Sequence, residues 1–449
     1  MHNIKLILMA IIIGGYTPTI IAQETHHLTL QKAQELALSE NRNIQNAGYD
    51  VQIAKKKVWE TTAIGLPQVS AGVDYSNMLD IPVTLMPARI FDPNAGPDDY
   101  VPLKFGQQHN SSFSFNVSQL LFSGEYIVGL QASKTYQNLS KQAMLKEQRD
   151  VIELVSKSYF GLLYTLENIK VLDSTLADIQ KTYDEISKTF QAGLVEETDV
   201  DQIQINLLTV ENALSAVKRQ LTVSENILKY QIGLNITDSI IIDDSLTYIF
   251  NTANVESVML QQFDVSKNIE YQILQTQKKV SELSVKRQKS TFLPNINAFY
   301  SHKVTGQNSD FQFFGGNQAW YQSNVIGAGL TWQLFNSGSK VVKLQQAQLE
   351  LDKIENNEYL LEQGLLFQVD QARNKLIASY DTYQKEQKNV VLAEKIYRRA
   401  LIKFKSGIIS SNELTQLNTQ YFNSQSRYYQ AMMNVLNAKV ELDKILNNN

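Results

Sequence analysis

Apolar positions recur with 3-4 spacing over long stretches of the chain. Ile169, Leu172, Leu176, Ile179, Tyr183, Ile186 and Phe190 form one run. Val200, Ile203, Leu207, Val210, Leu214, Val217 and Leu221 form the next. A later pair keeps the register: Tyr383, Val390, Ala393, Tyr397, Ala400 and Phe404, then Leu414, Leu417, Tyr421, Tyr428, Ala431 and Val435, interrupted at Glu386 and Ser424. Such a repeat places one apolar stripe along a helix and pairs it with a neighbour in a coiled-coil seam. The interruptions and tyrosines predict seams that are only partly dry. Between the members of each pair lies a glycine-bearing link. Phe190-Gln-Ala-Gly193-Leu-Val-Glu-Glu-Thr-Asp199-Val200 returns 214 residues later as Phe404-Lys-Ser-Gly407-Ile-Ile-Ser-Ser-Asn-Glu413-Leu414. The chain therefore reads as two copies of one helical hairpin, over 124–234 and 338–446, with tips at 190–200 and 404–414.

Proline placement permits very long helices. Past the N-terminal region, prolines stand only at 67, 82, 87, 93, 97, 102 and 294. Each would cost roughly 3 kcal/mol inside a helix. An unbroken helix from Gly124 to Phe190 would extend about 100 Å, far beyond a compact domain.

Four shorter stretches change period from 3.5 to 2. Val69, Ala71, Val73 and Tyr75 alternate with Ser70, Gly72 and Asp74. Phe113, Phe115 and Val117 alternate with Ser112, Ser114 and Asn116. Ile296, Ala298 and Tyr300 do the same in the second half, as do Ile326, Ala328, Leu330, Trp332 and Leu334. They predict strands at about 67–76, 111–122, 294–302 and 324–335. Strands of about ten residues with one apolar and one polar face suit a transmembrane barrel with a wet interior. A soluble sheet packed on the helices is the alternative. Phe122, Phe299, Trp320, Tyr321 and Phe335 are placed near strand ends, where an interfacial belt is expected. The loop from Asn77 to Asn110, with five prolines, reads as a solvent-exposed crown, and Lys303 to Gln322 as its shorter counterpart. Four strands leave two open edges, which lipid does not tolerate. Two chains would supply eight strands and three would supply twelve.

The strand starts and exits also repeat. Leu66-Pro67-Gln-Val69 matches Leu293-Pro294-Asn-Ile296, and Gln119-Leu-Leu-Phe122-Ser-Gly124 matches Gln333-Leu-Phe335-Asn-Ser-Gly338. The organisation expected is a signal peptide at 1–22, a first repeat at 23–236, a connection at 237–267 and a second repeat at 268–449. The signal reading rests on Lys5, the apolar run Leu6–Ile13, and Ala22 before Gln23.

Composition removes several classes. Of 449 residues, 43% are hydrophobic and mean hydropathy is −0.24, so a helical membrane protein is excluded. The formal net charge of −4 argues against a nucleic-acid partner. There is no cysteine, hence no disulfide and no site for an N-terminal lipid anchor. The histidines, His2, His26, His27, His109 and His302, form no ligand pattern. No phosphate-binding glycine loop is present. No catalytic residues, cofactor or metal are expected.

The duplicated hairpin, the Leu-Pro strand starts and the Gly193 tip together resemble the TolC family of bacterial outer-membrane efflux proteins. The segment Leu28-Thr-Leu-Gln-Lys-Ala33-Gln-Glu-Leu-Ala37 resembles that family's first helix, with Arg42 where a proline is usual. The resemblance implies a mainly α fold with a β-barrel part. It would be a homotrimeric tube with a twelve-stranded barrel in the outer membrane, continued by a periplasmic α-helical barrel and belted at its equator. It implies a passive duct without enzyme activity, working with a periplasmic adaptor and an inner-membrane pump of the RND or ABC type. The duct of a type I protein secretion system is the alternative. A secreted coiled-coil structural protein is a further one. By resemblance, Ala192, Gly193, Leu194, Val195, Ser406, Gly407, Ile408 and Ile409 would dock the adaptor. Glu413, Gln416 and Asp199 would lie at a periplasmic gate. Gln416 replaces an acid of the family and Ile409 a basic partner, so Asp199 is expected to lack its usual tether.

Overall fold

The computed structural model describes residues 25–316 and 318–446. The predicted signal segment lies outside the described residues. In chain order the elements are β1 (Thr25–Leu28), α1 (Leu30–Glu40), α2 (Arg42–Ile64), β2 (Gln68–Asn77), β3 (Val83–Pro87), β4 (Tyr100–Lys104), β5 (His109–Phe122), α3 (Gly124–Gln191) and α4 (Glu197–Ile232). There follow β6 (Ser239–Ile242), α5 (Leu246–Thr252), α6 (Val255–Leu260), α7 (Ile269–Ser290), β7 (Asn295–Asn308), β8 (Trp320–Thr331), α8 (Ser339–Lys405) and α9 (Ser411–Leu446).

The heptad runs become rods. α3 and α8 are continuous over 68 and 67 residues, each about 100 Å long. Ser123 starts α3 by accepting a hydrogen bond from Tyr126 N–H at 3.3 Å. Asn41 starts α2 by accepting from Asn43 and Ile44 N–H. Such caps satisfy backbone donors that have no partner inside the helix. α3 pairs with α4 and α8 with α9, and α3 also packs on α9, joining the repeats.

The thickest core sits partway along the rods. Val155, Tyr159, Phe160 and Leu163 of α3 meet Leu228 and Ile232 of α4 and Met432, Val435 and Leu436 of α9. Ala33, Ala37, Leu246, Ile249 and Phe250, from α1 and α5, cover it from outside. Tyr159 is fully buried with its hydroxyl satisfied. Its single O–H is shared between Asp244 Oδ2 at 2.8 Å and Leu28 O at 3.0 Å. Burial, then the neighbouring Asp244 carboxylate, hold its pKa far above the ordinary phenol value. A two-stranded parallel sheet of β1 and β6 closes this belt. His26 and His27 of β1 lie 3.9 and 3.1 Å from Asp238 and Asp243, which flank β6.

One sheet stands at the end of the rods, in the order β2-β5-β7-β8, antiparallel throughout. Its register aligns the apolar positions of all four strands. Val69, Val117, Tyr300 and Ile326 form one row across it, and Val73, Phe113, Val304 and Gln322 another. The opposite face carries Ser70, Asn116, Ser301 and Val325, then Gly72, Ser114, Lys303 and Ser323. The apolar face also carries polar residues, among them Gln322 in that second row and Asn324, to which both Tyr300 and His302 hydrogen-bond.

Several boundaries differ from the sequence expectation. The last strand occupies Trp320–Thr331, not 324–335. Alternation persists through Trp332 and Leu334, but the ladder ends where Asn295 pairs with Thr331, because Pro294 has no N–H to extend it. Trp332 instead donates its indole N–H to Phe292 O at 2.9 Å. The third strand runs to Asn308 rather than 302, so the loop expected at 303–322 shrinks to 309–319. The crown at 77–110 holds a hairpin of its own, β3 with β4. Phe299 does not lie at a strand end. It sits within β7 on the polar face, its ring over Gly327, where a Cβ would come within 2.8 Å.

Candidate functional site at the hairpin tips

Both tips reverse by the same local device. At the first, Gly193 has φ +75° and donates to Phe190 O at 2.8 Å, while Leu194 N–H reaches back to Thr189 O at 3.1 Å. At the second, Gly407 has φ +70°, donates to Phe404 O at 2.9 Å, and Ile408 N–H reaches Lys403 O at 2.9 Å. A backbone bond from beyond a left-handed glycine to the last helical turn is a common way to end a helix. A Cβ at either glycine would meet nothing within 4 Å. The backbone angle, not crowding, demands glycine here. The space outside is open to another chain.

The predicted docking residues divide into two sets. Ala192, Gly193, Leu194, Ser406, Gly407 and Ile408 form the exposed rim. Leu194 and Ile408 are 76% and 68% exposed, large for apolar side chains. Val195 and Ile409 turn inward. Val195 packs on the cluster of Ile179, Ile186, Ile203 and Leu207, and Ile409 on that of Tyr397, Ala400 and Leu414. They anchor the turns and are only partly exposed.

The predicted gate residues lie just past the tips. Glu413 and Gln416 are exposed near the start of α9, three residues apart and so on one face. Ser410 Oγ accepts from Glu413 N–H at 3.2 Å and caps that start. Asp199 stands in the first turn of α4, where a hydroxyl rather than a basic side chain reaches it. Ser411 Oγ donates to Asp199 Oδ1 at 2.5 Å, linking α9 to α4. Ile409 could not supply this bond, and the hydroxyl two residues later does. The sequence offered little signal, because Ser410-Ser411-Asn412 before a helix reads as capping residues alone.

Two further links join the tips, an ion pair with no signal in the sequence and the seam residue Phe404. Lys405 Nζ lies 2.8 Å from Glu185 Oε2, joining α8 to α3. Phe404 packs into both seam clusters. Above them Tyr397 and Tyr421 stack with centroids 5.6 Å apart. Burial, then the nearby Asp178 carboxylate, push the Tyr397 pKa up to about 12, so it stays neutral. Among the described residues, no group of three or more His, Cys, Asp or Glu is placed to hold a metal ion. No described helix is long and apolar enough to cross a membrane.

Two repeated hairpins of such length, bound tip to tip and carrying a four-stranded amphipathic sheet, define a TolC-like architecture. The chain belongs to the outer membrane efflux protein family, whose model matches residues 33–234 and 272–448. Among curated proteins, none matches the sequence. Solved structures match along nearly the whole chain. CusC is similar with a TM-score of 0.71 at 16% identity, covering 93% of this chain and 91% of its own. The outer membrane protein VceC of Vibrio cholerae gives 0.70 at 15%, covering 93% and 95%. The CmeC outer membrane channel of Campylobacter jejuni gives 0.68 at 17%, covering 93% and 85%. The resemblance drawn from the tips and strand boundaries is met by both kinds of comparison.

Proposed function

We propose that the chain is the passive exit duct of a tripartite efflux system, placed in the bacterial outer membrane and extending into the periplasm. Three copies assemble into one tube, with the sheets forming a barrel and the hairpins a helical conduit. An adaptor docks on the exposed rims at Leu194 and Ile408, and an inner-membrane pump supplies energy and small-molecule cargo. The observation that carries this reading is the sheet with two unpaired edges at the end of the rods. β2 runs away from the helices and β8 runs back toward them, so β8 of one copy can continue an antiparallel ladder onto β2 of the next. Open edges in lipid cost several kcal/mol per unsatisfied group, and ring closure removes them. The apolar face then meets lipid and the polar face lines the lumen.

Deletion in a strain without another duct should raise susceptibility to toxic compounds over a broad panel. Unchanged susceptibility would refute the efflux role. At the tips, Gly193→Trp or Gly407→Trp should reduce export while membrane insertion stays normal. Full export at normal protein levels would remove adaptor docking from these residues. In the assembled ring, three Glu413 carboxylates would favour cations. Glu413→Gln should weaken cation selectivity in single-channel recordings, and an unaltered reversal potential would take Glu413 out of the constriction.

A further inference from the structure

The loop between β7 and β8 folds back onto the apolar face of the sheet, toward the end away from the helices. The last apolar row there is Tyr75, Ser111, Gly306 and Trp320. Two small residues stand between two aromatic ones, which leaves a trough. Phe313 bridges it, with its centroid 6.0 Å from Tyr75 and 6.1 Å from Trp320, and is only 7% exposed. Phe311 stands edge-on to Tyr75 at 5.3 Å and to His109 at 6.3 Å. Through Phe313 and Phe311 the loop is fastened to that face. Its outermost ring, Phe314, lies 6.4 Å from Phe311 and is 94% exposed, and Phe311 itself is 58% exposed.

We infer that this loop is a membrane-interface anchor, with Phe314 and Phe311 seated at the headgroup–acyl boundary of the outer leaflet. The inference rests on the membrane-barrel reading above. The occupant follows from continuity: the loop lies on the face that also bears Val69, Val117 and Ile326, so whatever covers those side chains also covers its phenylalanines. Aromatic rings are favoured at the boundary between acyl chains and headgroups. A crown loop arching over the lumen would instead have met the polar face, at Asp74, Thr305 and Tyr321.

Because the chain has no cysteine, single cysteines report without background. Phe314→Cys, Ile326→Cys and Leu194→Cys are each nitroxide-labelled in the full-length protein and reconstituted in phosphatidylethanolamine–phosphatidylglycerol vesicles. Accessibility to oxygen and to a water-soluble nickel chelate is then measured. The label at 326 should favour oxygen, that at 194 nickel, and that at 314 oxygen at a shallower depth than 326. A lipid-exposed 326 with an aqueous 314 would overturn the anchor and leave the barrel standing. A label at 314 shielded from both reagents would show it covered by protein, which also overturns the anchor. An aqueous label at 326 would remove the membrane reading itself, and the anchor with it. Phe314 is so exposed that its replacement leaves the packed Phe313 contacts intact.

Discussion

Ser411 is 4% exposed, and its hydroxyl donates across the repeat boundary to Asp199 at 2.5 Å. A hydrogen bond to a charged acceptor contributes about 1.5–3 kcal/mol when it is lost from one side. The neighbouring Lys405–Glu185 pair is about half exposed on both sides and contributes at most about 1 kcal/mol. Ser411 is therefore the stronger polar tie between the tips. Ser411→Ala should raise open probability in planar bilayers, and Ser411→Thr, which keeps the hydroxyl, should restore it. Equal conductance in all three proteins would mean that the tie does not control the passage. The two tip glycines give a backbone test. Gly407→Asn should be tolerated, since asparagine enters the left-handed region readily, whereas Gly407→Val should cost about 1–2 kcal/mol, read as easier proteolysis at the tip.

Between elements, the clearest electrostatic clamp joins α3 to α9. Lys444 of α9 lies 2.5 Å from Asp150 and 2.9 Å from Glu153, and Lys157 lies 2.5 Å from Glu153. Burial alone would raise the Glu153 pKa, but hydrogen bonds from Lys157 and Lys444 outweigh it and hold the carboxyl below its usual 4.5. A carboxylate depressed on folding stabilises the protein above its unfolded value and loses that contribution as pH falls through the folded one. Thermal stability should therefore drop below pH 4.5, and Glu153→Gln should lower the melting temperature at neutral pH while flattening that acid limb. An acid limb of unchanged steepness in the variant would place the titration elsewhere. This clamp was not legible in the sequence, since charges three and four residues apart occur throughout these helices and most stay solvated. The seams were legible, because a period of 3.5 has few other causes and the residues it marks, such as Ile179, Ile203 and Leu414, are buried. Strand ends were less so. The alternation at Trp332 and Leu334 continues past the point where β7 has a backbone partner to offer, and a one-strand pattern carries no information about its neighbour.

For the assembled molecule, strand count decides whether a lumen exists. Two copies would give eight strands, a barrel whose interior side chains fill. The polar face here carries bulky groups, Phe299, Lys303 and Tyr321 among them, so an eight-stranded ring would be plugged by its own lining. Three copies would give twelve strands and a wider bore. The helices impose the same demand, since the paired hairpins of one chain enclose nothing by themselves. Protein extracted in detergent should therefore run at three times the mass of the chain from Gln23 onward by native mass spectrometry. Negative-stain images should show a three-fold tube with rods of about 100 Å below a short barrel. A two-fold particle of the same length would leave the bore closed, and a compact monomer would leave β2 and β8 unpaired in a molecule that then had no need of an apolar face.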